Sequence, residues 1–267
     1  MQNHKKCYQN VWILSGTADG PILADKLTKQ EYTVFVSVIS YKASTVYKKN
    51  PKLHIITGRL SNANEFREFI LFNNIDYVID ATHPFAIKVS ENLCKACAQV
   101  SKSVYRFERY YSKELSNNKY QVISNLRGIE SYPLKNKNLL LAIGSRSLES
   151  TAQYYMDLGA NVFTRIISTP DSISKALSSS INNTNIAILN PTKNKDAFLE
   201  MYLCRFWKID YILCRDSGGY SQIAWENVSI KNNIKLFLLE RPKINLNNMV
   251  FSNYDLLVEK IVNLKNS

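Results

Sequence analysis

The run Ile75-Asp76-Tyr77-Val78-Ile79-Asp80-Ala81-Thr82-His83-Pro84-Phe85-Ala86 constrains the fold more than any other stretch. Tyr77 to Ile79 has the composition of a buried strand, and Asp80 ends it with a charge. Pro84 opens a segment, Phe85 to Ala98, with helical spacing. Proline is tolerated in the first turn of a helix, where a missing N–H costs no intrahelical bond. The stretch therefore reads strand, polar turn, helix. In open α/β sheets, ligands bind outside the carboxyl ends of strands, and helix N-termini there favour anions. Asp80, Thr82 and His83 fall at such an edge. Taken alone, they also fit a helix cap with a histidine packed beneath it.

The same alternation runs through the chain. Val11 to Leu14 is a short apolar strand, Ser15-Gly16-Thr17-Ala18-Asp19-Gly20 a turn, and Pro21 to Lys29 a helix. A glycine turn between strand and helix lets backbone N–H groups approach a phosphate, and the helix dipole favours the anion. A tight turn that merely needs glycine has the same look. Thr33 to Ile39 is a second strand, rich in β-branched residues. Dinucleotide folds place an acid about 20 residues past the first glycine, on the ribose hydroxyls. Here that region holds Ser37, Ser40 and Lys42 and no acid. The missing carboxylate removes a repulsion against a 2′-phosphate, which favours NADP over NAD.

Leu53 to Thr57 is a third strand, followed by Gly58-Arg59-Leu60, and Asn64 to Asn73 is a helix. Ser103 to Arg106 is a strand, and the segment Ser112 to Lys137 is polar and irregular. The pattern then restarts. Strands are expected at Leu139 to Ile143, Asn161 to Ile167, Ile186 to Leu189, Tyr211 to Cys214 and Ile234 to Leu239. Helices are expected at Leu148 to Leu158, from a cap at Asp171 to about Ser180, and at Asp196 to Phe206, Ser221 to Asn232 and Tyr254 to Asn263. Such alternation predicts α/β architecture with doubly wound parallel sheets. A chain of 267 residues suits two domains. We place them at residues 1–136 and 137–267.

Composition narrows the partners. The net charge of +12 fits an acidic substrate, drift towards lysine, or nucleic acid. The basic residues are dispersed, with no interleaved aromatics and no nucleic-acid motif, which ranks nucleic acid last. No apolar run reaches the roughly 20 residues of a membrane span. Met1 to Asn10 lacks a signal core, so a cytoplasmic location is expected. Five scattered cysteines argue against a disulfide framework. Cys94 and Cys97 form a C-x-x-C inside a helix with no second ligand pair, and the chain has three histidines, so no metal site is expected.

The motifs at the strand edges, in this order, resemble the precorrin-6A reductase family of cobalamin biosynthesis. They are Ser-Gly-Thr-Ala-Asp-Gly (15–20), Gly-Arg-Leu (58–60), Asp-Ala-Thr-His-Pro-Phe-Ala (80–86), Tyr-Arg-Phe-Glu-Arg (105–109), Asp-Ser-Gly-Gly (216–219) and Glu-Arg-Pro (240–242). The resemblance implies two Rossmann-like domains with a cleft between them and a nicotinamide cofactor. It also implies reduction of the C18=C19 bond of precorrin-6A, metal-free or with cobalt, to precorrin-6B. On that basis NADPH is the expected cofactor, with NADH as the alternative. Gly16, Thr17, Ala18, Asp19, Gly20, Ser37, Ser40, Lys42, Asp80, Ala81 and Thr82 would hold it.

The substrate would be a polycarboxylate tetrapyrrole, which a basic protein attracts. Arg59, Arg106, Arg109, Arg146, Arg165 and Arg215 lie at or near strand edges, and arginine grips carboxylates bidentately. Arg59, Arg109 and Arg146, with Ser217 and Gly218, are the substrate candidates. Asp216 and His83 form the expected polar centre of catalysis, with Arg215 as electrostatic partner. The family commonly has lysine where Arg215 stands, Gly-Pro where Asn190-Pro191 stands, and proline where Tyr110 stands. Two other readings remain: a reductase of another small acidic molecule, or a dinucleotide-sensing protein without turnover.

Overall fold

A computed structural model describes residues 9–60, 62–109, 120–191, 196–243 and 249–265. The chain divides into two units, residues 1–110 with 242–267, and residues 111–241. This corrects the division expected at 136/137. Two short strands cause the difference. One, at Tyr120–Ile123, belongs to the second sheet, and one, at Met249–Phe251, belongs to the first.

In the first unit, β1 (Asn10–Ser15), α1 (Asp19–Lys29), β2 (Thr33–Val38) and a single turn α2 (Tyr41–Ser44) lead to β3 (Leu53–Thr57). Then come α3 (Ala63–Phe72), β4 (Tyr77–Ala81), α4 (Ile87–Gln99) and β5 (Val104–Phe107). The second unit holds β6 (Tyr120–Ile123), β7 (Asn138–Ala142), α5 (Leu148–Asp157), β8 (Asn161–Ile166) and α6 (Pro170–Leu177). It continues with β9 (Ile186–Ile188), α7 (Phe198–Phe206), β10 (Tyr211–Arg215), α8 (Tyr220–Asn232) and β11 (Lys235–Leu239). The chain then returns to the first unit as β12 (Met249–Phe251) and α9 (Tyr254–Lys265).

The first sheet runs β12-β5-β4-β1-β2-β3 and the second β6-β11-β10-β7-β8-β9, and every recorded pair is parallel. Parallel strands are buried on both faces, which is why they read as unbroken apolar runs. In β1, Val11 and Ile13 pack on one face with Leu23, Leu27, Leu257 and Ile261. Trp12 and Leu14 pack on the other with Phe66, Ile70 and Leu93. That alternation is the two-residue period of a strand. In the second unit, Ile212, Cys214, Leu236 and Leu238 meet Met201, Cys204, Trp225 and Val228 of α7 and α8.

Local differences have local causes. Pro84 sits in the turn before α4, which starts at Ile87. Thr169, not Asp171, caps α6: its Oγ1 accepts from the Ser172 N–H at 3.3 Å, with Pro170 as the first helical residue. Cys97 is buried, which pushes its thiol up to about 12, so the C-x-x-C packs a helix. Tyr110 and most of the segment expected to be irregular before Tyr120 lie outside the described residues.

Candidate active site

Strand order in the first sheet reverses between β1 and β4. Such a switch point is where open α/β sheets bind ligands. Gly16, just past β1, donates its N–H to Ala81 O at 3.4 Å. A Cβ at Gly16 would stand 3.4 Å from His83 N and 3.6 Å from Thr82 Cα, so glycine leaves the notch between the two strand ends unfilled. Gly20 answers a different demand. A Cβ there would collide with Ser15 Oγ and Tyr47 Oη, which are themselves hydrogen-bonded at 2.8 Å. An unfilled notch leading into the N-terminus of α1 fits the pyrophosphate of a dinucleotide.

The β4 side of the notch is rigid. Asp80 is fully buried; one oxygen accepts from Thr82 N at 3.0 Å and the other from Arg106 Nη1. Arg106 also donates to Ser90 Oγ at 2.9 Å and to Glu108. Burial pulls this guanidinium down, but Asp80 and Glu108 outweigh it, and its pKa lies above the usual value. Asp80, expected to touch the cofactor, is thus an internal group that orients the Thr82 backbone. His83 is half-buried, and its Nδ1 accepts from Phe85 N at 3.2 Å. In the neutral ring the proton therefore sits on Nε2.

Three further residues stand elsewhere than expected. Ser37 is 4% exposed and accepts from the Trp12 indole at 2.9 Å, which removes it from any 2′-phosphate. Arg109 pairs with Asp19 through Nε at 3.1 Å and Nη2 at 2.9 Å instead of standing as an uncommitted substrate group. Arg59 is exposed after Gly58, whose φ is 138°, at the end of β3. Gly58 N donates to Val38 O at 3.0 Å, which brings the β3 end beside that of β2. There, Ser40 caps α2 by accepting from Ala43 N at 3.3 Å, and Lys42 is exposed. Arg59, Ser40 and Lys42 thus lie on the side of β1 away from β4, where a dinucleotide places its adenosine half.

In the second sheet, order reverses between β7 and β10. Gly144, with φ 75°, follows β7, and a Cβ there would press Arg215 Nη1 at 3.2 Å. Glycine therefore makes room for the guanidinium at the end of β10. Burial lowers the Arg215 pKa, and the charge of Arg146 lowers it further. Asp216 is buried: its carbonyl accepts from Arg241 Nε at 2.8 Å, and Arg241 Nη2 lies 3.6 Å from its Oδ1. Ser217 Oγ accepts from Gly219 N at 3.4 Å, and Gly218, with φ 65°, donates its N–H to Gln222 at 2.6 Å. His83 belongs to the first unit, and Arg215 and Asp216 to the second. Arg165 is 7% exposed, and burial lowers its pKa despite Glu200.

Sequence reasoning missed Arg241, which lies within the Glu-Arg-Pro at 240–242. It also missed Tyr254, whose Oη donates to Asp19 Oδ1 at 2.7 Å. No local pattern announces a contact across 235 positions. Among the described residues, no group of three or more His, Cys, Asp or Glu could hold a metal, and no helix is long and apolar enough to cross a membrane.

The family model described as "Precorrin-6x reductase CbiJ/CobK" matches residues 10–261. The chain is 26% identical over 237 residues to a Cobalt-precorrin-6A reductase of Synechocystis sp., covering 87% of this chain and 88% of that one. It is 28% identical over 262 residues to a Cobalt-precorrin-6A reductase of Methanocaldococcus jannaschii, covering 96% and 99%. A solved structure, "CobK precorrin-6A reductase", superposes with a TM-score of 0.77 at 18% identity over 96% of each chain, which shows the shared fold. The chain belongs to the precorrin-6x reductase CbiJ/CobK family.

Proposed function

We propose that this chain reduces the C18=C19 bond of precorrin-6A, or of its cobalt form, to precorrin-6B, using NADPH. The observation that carries this reading is the notch at Gly16, unfilled beside the His83 edge, in a chain of this family. The nicotinamide supplies the hydride, and the protein supplies binding, orientation and a proton. The Gly16–Gly20 turn holds the pyrophosphate, and Ala81 and Thr82 form the facing wall. Ser40, Lys42 and Arg59 meet the 2′-phosphate, which reassigns Arg59 from substrate to cofactor. Arg146 and Arg215, with Ser217 and Gly218, meet carboxylates of the tetrapyrrole.

His83 is the proton donor in this reading: as the imidazolium it gives up the Nε2 proton, and the neutral ring left behind can accept from Phe85 N at Nδ1. Asp216, held by Arg241, orders the edge that presents Arg215. The test is anaerobic oxidation of NADPH by the purified chain with precorrin-6A, with and without cobalt. Appearance of a product heavier by two hydrogens is expected. Absence of turnover with both rings would overturn the reading, and faster turnover with NADH would overturn the 2′-phosphate assignment.

A further inference from the structure

We infer that Arg109 is a positioning residue for the cofactor turn, acting through Asp19, with Tyr254 of the last helix as its partner. The inference rests on the reading of the Gly16–Gly20 turn as the pyrophosphate site. Asp19 is the first residue of α1, and a carboxylate there complements the helix dipole. The same terminus must accept the negative pyrophosphate, so a bare carboxylate would repel the ligand it stands beside.

The structure resolves that conflict with four donors. Asp19 Oδ1 accepts from Arg109 Nε at 3.1 Å and Tyr254 Oη at 2.7 Å. Asp19 Oδ2 is paired with Arg109 Nη2 at 2.9 Å and accepts from Thr17 Oγ1 at 2.6 Å. The bidentate guanidinium cancels the charge, and Asp19 is left 5% exposed. The Thr17 hydroxyl also lies 3.2 Å from Ala81 O, so the same carboxylate fixes the turn against the β4 edge.

Tyr254 is itself held in place. Its ring stacks on Phe107 with centroids 4.4 Å apart and planes 12° apart. The strand before it, β12, pairs with β5, and Glu108 N donates to Phe251 O at 2.9 Å. Arg109 is the second residue past β5. The returning segment and the end of β5 therefore arrive together at Asp19.

The test is NADPH affinity by fluorescence, read beside the KM for precorrin-6A. Arg109→Met is expected to weaken NADPH binding about thirtyfold, the scale of one uncompensated like charge in a partly buried site. The tetrapyrrole KM is expected to stay within about twofold, as binding at a distinct site should. Asp19→Asn in the Arg109→Met chain is expected to restore most of the affinity, because the repelling charge is gone. Tyr254→Phe keeps the stacked ring, loses one hydrogen bond to a charged group, and should weaken NADPH about fivefold.

A double variant weaker than Arg109→Met alone would show a brace and overturn the inference. So would a raised tetrapyrrole KM with unchanged NADPH affinity, which is the behaviour of a substrate group. If Arg109→Met does not fold, Tyr254→Phe carries the test, and unchanged affinity there overturns it. A wild-type chain that binds neither NADPH nor NADH overturns the proposed function, and this inference falls with it.

Discussion

The two units share one strand order and put different chemistry where that order reverses. Counted outward from their switch points, both sheets read 3-2-1-4-5, with a sixth strand beside the fifth. In the first unit the glycine after the central strand, Gly16, leaves a notch, and the arginines nearby, Arg106 and Arg109, are tied to Asp80 and Asp19. In the second, the corresponding glycine, Gly144, lies against Arg215, whose charge adds to that of Arg146. One edge has its arginines paired with carboxylates. The other keeps two guanidinium groups close enough to depress one of them. In the function proposed above, the same topology takes a dinucleotide in one unit and carboxylates in the other, because glycine does opposite jobs.

The contrast can be broken at several points. Asp80→Ala should have the largest effect. It leaves Arg106 buried beside a missing partner and should cost about 3–5 kcal/mol in denaturant unfolding. Wild-type stability would show that Asp80 is not the structural anchor of the notch. His83→Ala should lower kcat by about 10²-fold or more while the NADPH affinity holds, the usual worth of a positioned acid. A rate within about threefold of wild type would leave solvent as the donor. Arg146→Ala should raise the tetrapyrrole KM by about tenfold or more, as loss of a charged hydrogen bond does, with NADPH binding unchanged. A loss of NADPH affinity instead would erase the distinction between the two edges. Arg165→Met should have the smallest effect, within about 1 kcal/mol. Two of the Arg165 nitrogens are buried without a hydrogen-bond partner among the described residues. Removing such a charge is often neutral or stabilising. A strongly destabilised variant would show that Glu200 holds it after all.

The sequence announced the central strands because a strand buried on both faces must be apolar throughout. β1, β4, β7 and β10 were therefore legible, and so were the turns that follow them. The edge strands were not. β12 is three residues long, and its pairing, Met249 with Tyr105, spans half the chain. β6, four residues in a polar segment, pairs Tyr120 with Leu236 in the same way. Nothing local encodes such partners, so the unit boundary was misplaced. The site was legible at the level of edges and not of side chains. Ser37 lies near the end of its strand, as expected, but faces the indole of Trp12 on the neighbouring strand. Arg109 belongs to a recognised motif, yet its partner could be found only by folding the chain.

The return of residues 242–267 to the first unit has a consequence for biogenesis. The second unit is a continuous stretch, whereas the first is complete only when residues 242–267 have been made. Until then β5 is an exposed sheet edge, the kind of surface that recruits other chains. The apolar face of α9, with Leu257, Val258 and Ile261 buried, is also missing from the nascent core. Burying each such side chain contributes about 1.5–3 kcal/mol. Tyr254 comes with that face. During synthesis the inserted second unit can therefore fold while the first still lacks β12 and α9, so truncation before residue 242 would yield an intact second sheet and an unclosed first one.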